Sequence, residues 1–344
     1  MAKRAVYTVI VGGLDISSRL LPLLTSLRIS DREGTHSDTC ELRIDDEDGR
    51  VIMPREGDPI IVSLGWEGEG MGVVFIGTVD EVQSSGSRGA GRELRVSAKG
   101  VDTKGKAKEA QQRHFDNKTL QQVLNDAGQH AGISVRVDPS LGSLKRDWWG
   151  MNDESFLHFG ERLAREHGGL FKVRGNQAIL TAKGGGSVSG GGMGGVTAAW
   201  GDNLLSWDIS PRMNRPRHKT TRARWYDKKK AKWEEVDVQV PDQGAIATLH
   251  DRYSRTDQDE SKNSATNHAK DAEREKGGGS VTIDGTAAAQ PGGTCAVVGA
   301  RPGIDGPYRI NGVDHDYNRG GGWTTKLDLK QPQGGTGSDS RSAG

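Results

Sequence analysis

Apolar and polar residues alternate through most of the first hundred positions. Val6 to Val11 opens the pattern, and Leu27 and Ile29 share a face after the break at Pro22. Cys40, Leu42 and Ile44 then alternate with Thr39, Glu41 and Arg43. Ile60, Val62, Leu64 and Trp66 fall on one face, as do Val73, Phe75 and Val79, and then Leu94, Val96 and Ala98. A period of two is that of a half-buried strand. Six short strands with turn signals between them predict a small closed or nearly closed β-barrel over residues 1–101. Pro59 suits the first position of its strand, where a missing N–H is tolerated.

Near Asp102 the period changes. Leu120, Val123, Leu124, Ala127 and Ala131 follow helical spacing, with Thr119 placed to cap the start and Gly132 the end. Ile133, Val135 and Val137 make a short strand. A second helix starts near Asp153, gathers Phe156, Phe159, Gly160, Leu163 and Ala164 on one face, and stops at Gly168 and Gly169. Phe171 to Arg174, the turn Gly175-Asn176, and Gln177 to Thr181 complete a hairpin. Residues 102–182 are therefore expected to form an α+β insert.

The run KGGGSVSGGGMGG opens a Gly-rich connector, residues 183–199, too rich in glycine to pack. Strand patterns resume at Leu204 to Ile209, Thr220 to Tyr226 and Trp233 to Val240. A polar excursion, 255–276, carries Ala265, Ala269 and Ala272 at helical spacing, a stripe along which a neighbour can approach closely. Val281 to Ile283 and Cys295 to Val298 follow. Pro307 to Lys330 then reads as a hairpin turning at Gly320, Gly321 and Gly322. Trp323, Thr325, Leu327 and Leu329 share one face of its second strand. On the first strand Tyr308 and Ile310 share a face, but Val313, His315 and Tyr317 are out of phase by one residue, which a β-bulge at Gly312 repairs. Residues 200–331 thus predict a second β-barrel, and 332–344 a flexible tail. The fold class expected is mainly β with an α+β insert, without residue-level repetition between the two β regions.

Composition narrows the function. Apolar residues make up 33% of the 344 residues and glycines number 50, so the cores are modest and the turns many. A formal charge of +1 argues against electrostatic capture of nucleic acid as the main activity. Cys40 and Cys295 show no metal-ligand spacing and read as two reduced, buried thiols. The start MAKRAVYTVIVGG reads as a first strand rather than a secretory signal, and no run approaches the roughly 18 apolar residues of a membrane span.

Candidate chemistry is thin. Asp45-Asp46-Glu47-Asp48-Gly49 resembles part of a calcium loop, but Ile44 and Arg55 stand where acidic ligands are needed, so a solvated loop is favoured. His158 and His167 are nine apart, which no metal pair on one helix uses. Glu154, Glu161 and Glu166 include enough carboxylates for glycan cleavage, yet nothing singles out an acid and a base. Gly68, Gly70 and Gly72 lack the lysine and helix of a phosphate loop. Trp148 and Trp149 beside Lys145 and Arg146 suit base stacking or a partner contact, and anchoring of the insert or an intersubunit contact is favoured. Lys228 to Lys230 read as a hairpin turn. No catalytic, cofactor-binding or metal-binding residue is assigned, and no cofactor is expected.

Three segments do resemble a known family. They are Phe75 to Val82 (with Gly77 and Val79) leading into Leu94 to Gly100; Asn152 to Glu166 (with Leu163 and Ala164) followed by Gly168; and Tyr308, Ile310, Val313 and His315 with Thr325 and Leu327. In this order the chain resembles the late control gene D proteins of contractile-tailed bacteriophages. This tail hub class also forms the base of the type VI secretion spike protein. The resemblance implies a non-enzymatic structural baseplate hub. It also implies a homotrimer whose six similar barrels form a pseudo-sixfold ring, which adapts a hexameric tail tube to a trimeric spike among other baseplate proteins and leaves a channel. It implies a virion protein assembled in the bacterial host cytoplasm, with no specific nucleic-acid binding. Since no oligosaccharide-binding barrel or β-helical needle follows Gln331, a separate hub rather than a fused hub and spike is expected. The alternatives are a tail-associated peptidoglycan hydrolase, or the hub of a tailocin or other contractile injection system.

Overall fold

The computed structural model describes residues 3–34, 38–89, 91–100, 105–182, 195–210, 218–227, 229–240, 246–252, 254, 258–274 and 277–330. The expected tail 332–344, most of the Gly-rich connector, Lys228 and the ends of the polar excursion lie outside them.

Seven strands come from the first hundred residues: β1 (Ala5–Val11), β2 (Leu14–Asp15), β3 (Leu24–Arg32), β4 (Thr39–Asp45), β5 (Pro59–Trp66), β6 (Gly70–Ser87) and β7 (Gly91–Lys99), with the single-turn helix α1 (Ser17–Leu20) after β2. The middle of the chain supplies β8 (Gln111–Thr119), α2 (Leu120–Ala131), β9 (Ser134–Val137), α3 (Pro139–Gly142), β10 (Lys145–Glu154), α4 (Phe156–Glu166), β11 (Gly169–Arg174) and β12 (Gln177–Ala182). The last part holds β13 (Val196–Ala199), β14 (Leu204–Ser210), β15 (His218–Asp227), β16 (Lys232–Gln239), β17 (Ala247–His250), α5 (Gln258–Arg274), β18 (Gly278–Asp284), β19 (Thr294–Val298), β20 (Gly306–Asn318) and β21 (Gly322–Lys330).

Local signals place the helices. The Thr119 hydroxyl accepts from the Gln122 amide while the Gln122 side chain accepts from the Thr119 N–H, a reciprocal cap that satisfies two orphan donors. Gly132, at φ +73°, closes α2 in the left-handed conformation. Ser155 caps α4 by accepting from His158 N, so the helix begins at Phe156, three residues past Asp153. The apolar faces of α2 and α4 meet β9, β11 and β12 in a core built on Leu120, Leu124, Phe156, Phe159, Leu163 and Leu180.

The expected fold class, mainly β, is observed, but neither of the two β regions, expected as closed or nearly closed barrels, forms a closed barrel among the described residues. Thirteen strands form one continuous sheet whose main path runs β14-β18-β21-β20-β3-β4-β7-β6-β5-β1-β2, with β13 and β19 joined through β20, and this path does not close on itself among the described residues. The two β regions meet where β20 pairs antiparallel with β3. The bulge lies where the phase shift requires it, between Ile310 and Gly312. Before the bulge, Pro307, Tyr308 and Arg309 pair with β19; after it, Gly312 to Asn318 pair with β3. One strand thus changes partner at its own bulge. The Arg32 side chain lies over Gly312, where a Cβ would come 2.6 Å from its guanidinium and would have to displace it.

Two further expectations change. β15 and β16, expected in the second barrel, instead form a separate three-stranded sheet with β17, covered by α5. The small-residue stripe is the covering face, since Ala265 and Ala269 are buried. Val73 does not share the inner face with Phe75 and Val79: it is exposed, because the β5–β6 register shifts between Val62 and Ser63. The hairpin also reaches further than its own region. Tyr308, Ile310, Val313 and Leu327 pack with Val281 and Cys295 in one core, whereas Tyr317 and Trp323 at its tip pack into the core of the first region beside Tyr7 and Trp66. Full burial of such side chains contributes about 1.5–3 kcal/mol each.

Candidate assembly site

The residues singled out by resemblance fall in three places rather than one. Leu163 and Ala164 lie in the α2/α4 core, Val79 in the core of the first region, and Tyr308, Ile310, Val313 and Leu327 in the third core. Gly77 sits where β6 presses against Lys99 of β7, so closely that a Cβ would overlap the Lys99 carbonyl. Gly168 takes φ +66° at the end of α4. His315 and Thr325 face each other in the buried β20–β21 register, with His315 Nδ1 3.0 Å from Thr325 Oγ1. Burial pushes the imidazole down to about 4 although Asp31 and Asp314 pull it upward. All eleven are core or turn positions.

A buried charge cluster that the sequence reading missed joins the insert to the sheet. Lys172 of β11 donates to Asp31 at 2.5 Å, to Asp38 at 2.5 Å and to the Arg32 carbonyl at 3.0 Å; Arg174 donates to Asp31 at 2.7 Å. Burial and the charge of Asp31 push the Asp38 carboxyl up to about 6. Next to it, Arg32 pairs with Asp314 and Arg309 with Glu33, fastening β20 to the β3 end. These partners lie roughly 140 to 280 residues apart along the chain, and no local pattern of charges marks them.

The other candidates resolve into structural parts. Asp45 and Asp46 accept from Glu47 N and Val51 N, so this acidic run folds onto its own backbone with Gly49 at φ +65°. His158 is exposed; His167 packs edge-on against Trp149. Glu154 takes a bidentate pair from Arg162 at 2.6 and 2.8 Å, and Glu166 accepts from the same guanidinium at 3.0 Å. Glu161 sits beside Arg165. Lys230 pairs with Asp227 and Glu234 across the β15–β16 turn. Burial pushes the Cys295 thiol up to about 12 and that of Cys40 higher still, and they lie in different cores. The two tryptophans separate: Trp149 is 2% exposed and donates to the Lys118 carbonyl, while Trp148 is 55% exposed in a cleft of about 940 Å³ between β10, α4 and the β15–β16 turn.

Strands at the margin of the large sheet are open to a partner: β2 and β14 at the two ends of its path, and β13, which pairs only with β19 among the described strands. β2 is paired only with β1, and β14 only with β18 among the described strands apart from one bridge at Leu204. Both ends carry exposed apolar side chains: Leu14 on β2 is 70% exposed, and Trp200 and Leu205 at β14 are 56% and 49% exposed. Open strand edges with apolar surface invite pairing with another chain.

Residues 41–321 match the family model of the phage tail baseplate hub. The chain belongs to the phage tail baseplate hub family. Among hub proteins with a curated description, it is 27% identical over 185 residues to the probable baseplate hub protein of Escherichia phage P2, a stretch that is 54% of this chain and 47% of that protein. The corresponding protein of Escherichia phage 186 is 26% identical over 170 residues, 49% of this chain and 43% of that protein. The aligned stretches span less than half the length of these relatives. The hub fold itself recurs in a tail protein of Neisseria meningitidis MC58 (TM-score 0.69, 18% identity, 95% of this chain and 96% of that one). It recurs in a 43 kDa prophage tail protein of Shewanella oneidensis (0.70, 16%, 94% and 98%) and in an Escherichia coli type VI secretion component (0.57, 12%, 97% and 79%).

Proposed function

We propose that this chain is a structural, non-enzymatic hub subunit that works by geometry. Three copies form a closed ring in which residues 1–101 and 200–331 of each act as two tube-facing β units, six in all. The ring adapts a hexameric tail tube to a trimeric spike around a channel, within the tail baseplate of a virion assembled in the bacterial host. The observation that carries this reading is the continuous sheet: β3–β20 pairing joins the two β regions edge to edge inside one chain, and both outer edges stay open and apolar. Repeating the same pairing between chains, the β14 edge of one against the β2 edge of the next, is a head-to-tail contact that must either close into a ring or run on as a filament. The family membership supports the ring over the filament. Residues 102–182 are an insert held to the outside of that ring by the Lys172 cluster.

Light scattering of the full chain, alone and with tube and spike proteins, tests the proposal. The expected mass is three times that of the monomer in at least one of these samples. A monomer in every sample, or a purified monomer with hydrolytic turnover on cell-wall glycan, overturns it.

A further inference from the structure

The cleft beside Trp148 is not accounted for by the hub reading. Three separate parts of the chain wall it: β10, the α4 helix, and the β15–β16 turn with the start of α5. Its aromatic surface is prepared rather than incidental. The six-membered ring of the Trp148 indole lies over Gly150, where any Cβ would overlap it, so the glycine lets the indole rest across its own strand while its other side stays exposed. Tyr226, 41% exposed, lines the same cleft and meets Trp233 edge to face at 5.4 Å.

The polar walls are fixed as well. Arg162 holds Glu154 with two hydrogen bonds and Glu166 with a third, and also donates to the Gly150 carbonyl at 2.7 Å. Arg146 stacks 4.7 Å from the Trp149 ring and pairs with Glu260 at 2.9 Å. A planar guanidinium held between carboxylates leaves oriented donors and lone pairs at its margins, which suit two adjacent hydroxyls. Asn152 and Gln258 add amides to the lining.

Charge and composition then select the ligand class. Four basic and five acidic side chains line the cleft, so it offers no net attraction to a polyanion such as nucleic acid or a phosphorylated partner. Leu163 is its single aliphatic lining residue and is buried, so nothing there seats the aliphatic side chains of a docking peptide. What is left is open aromatic faces beside fixed bidentate polar groups, in a volume within the range of small-ligand sites. A sugar ring has both complementary surfaces, an apolar C–H face and a rim of hydroxyls.

We propose that this cleft binds a neutral oligosaccharide, stacked on Trp148 and Tyr226, and does not cleave it. Cleavage requires one carboxyl to be protonated as the acid. The Arg162 guanidinium instead occupies both oxygens of Glu154 and one of Glu166, the atoms an acid or a base would use. The proposal holds whether or not the chain is a hub.

Saturation-transfer NMR and calorimetry on the full chain test it, with a β-1,4-linked N-acetylglucosamine hexamer, a maltohexaose, heparin and a ten-residue Thr-Val repeat peptide as probes. The expected result is saturable binding of at least one neutral hexamer that persists at high salt, with the sugar recovered intact. Trp148→Ala should weaken it about tenfold or more, the loss of roughly one stacking contact. Tyr226→Ala, at an exposed position, should weaken it with an unchanged melting temperature and stands in if the first variant fails to fold. No saturable binding of either hexamer, tighter binding of heparin or the peptide, undiminished binding by Tyr226→Ala, or cleavage of the sugar overturns the proposal.

Discussion

His315 makes the β20 strand a proton-sensitive element. It lies where three strands pair, opposite Ile29 of β3 and Thr325 of β21, and its ring is buried against Trp323. Burial holds its pKa near 4 in the fold against 6.5 in the open chain, with the charges of Asp31 and Asp314 opposing this only in part. The folded protein therefore keeps the imidazole neutral while the unfolded chain protonates it. The sign follows: the stabilisation is complete above pH 6.5 and is lost as pH falls from 6.5 toward 4. At 1.36 kcal/mol per pH unit the loss approaches roughly 3 kcal/mol. Asp38 works against it, since a carboxyl whose pKa is raised to about 6 takes up a proton in the fold on acidification and favours the fold there. The assay is therefore a difference: urea unfolding of the wild type and of His315→Asn, which keeps an amide within reach of Thr325, at steps from pH 7.5 to 4. Wild type should lose about 3 kcal/mol more than the variant over that range. A folded-state His315 resonance that titrates near 6.5, or parallel pH profiles for the two proteins, refutes the reasoning.

Two further outcomes are expected. Lys172→Met leaves the buried Asp31 and Asp38 carboxylates with Arg174 as the remaining cation of the cluster and should cost about 3 kcal/mol in urea melts, and adding Asp38→Asn should recover more than half of that; a single-variant cost below about 1 kcal/mol would show that Arg174 suffices alone. Inserting one residue directly after Gly312 throws Val313, His315 and Tyr317 onto the opposite face and breaks the β3 pairing. The variant should then fail to assemble and lose near-ultraviolet signal from Tyr317 and Trp323, and an assembled, native-like variant would sink the register argument.

Much of the local architecture was legible along the chain because its causes are local. Strand alternation, the Thr119 and Gly132 caps, the apolar faces of α2 and α4, and the bulge at Gly312 each follow from the chemistry of a few neighbouring residues. The small-residue stripe of α5 was legible in the same way. The three segments carrying the family resemblance were also readable in order, and the structure places their signature residues at core or turn positions.

Tertiary structure alone decided how those pieces join. Alternation reports that a strand has a buried face but not which strand lies beside it, so two separate closed barrels and one open sheet crossing from β3 to β20 predict the same pattern. The Lys172 cluster depends on carboxylates about 140 residues away, and charged residues at such separations leave no periodic trace. The tip of the hairpin, Tyr317 and Trp323, reads in sequence as part of the last β region, yet it completes the core of the first because β20 changes partners at its bulge. Trp148 and Trp149 look equivalent in sequence; the strand turns one into the core and leaves the other open over Gly150. Local chemistry determined the strands, helices and caps, and long-range pairing determined the single large sheet, the anchored insert and the cleft between that insert and the β15–β16 turn.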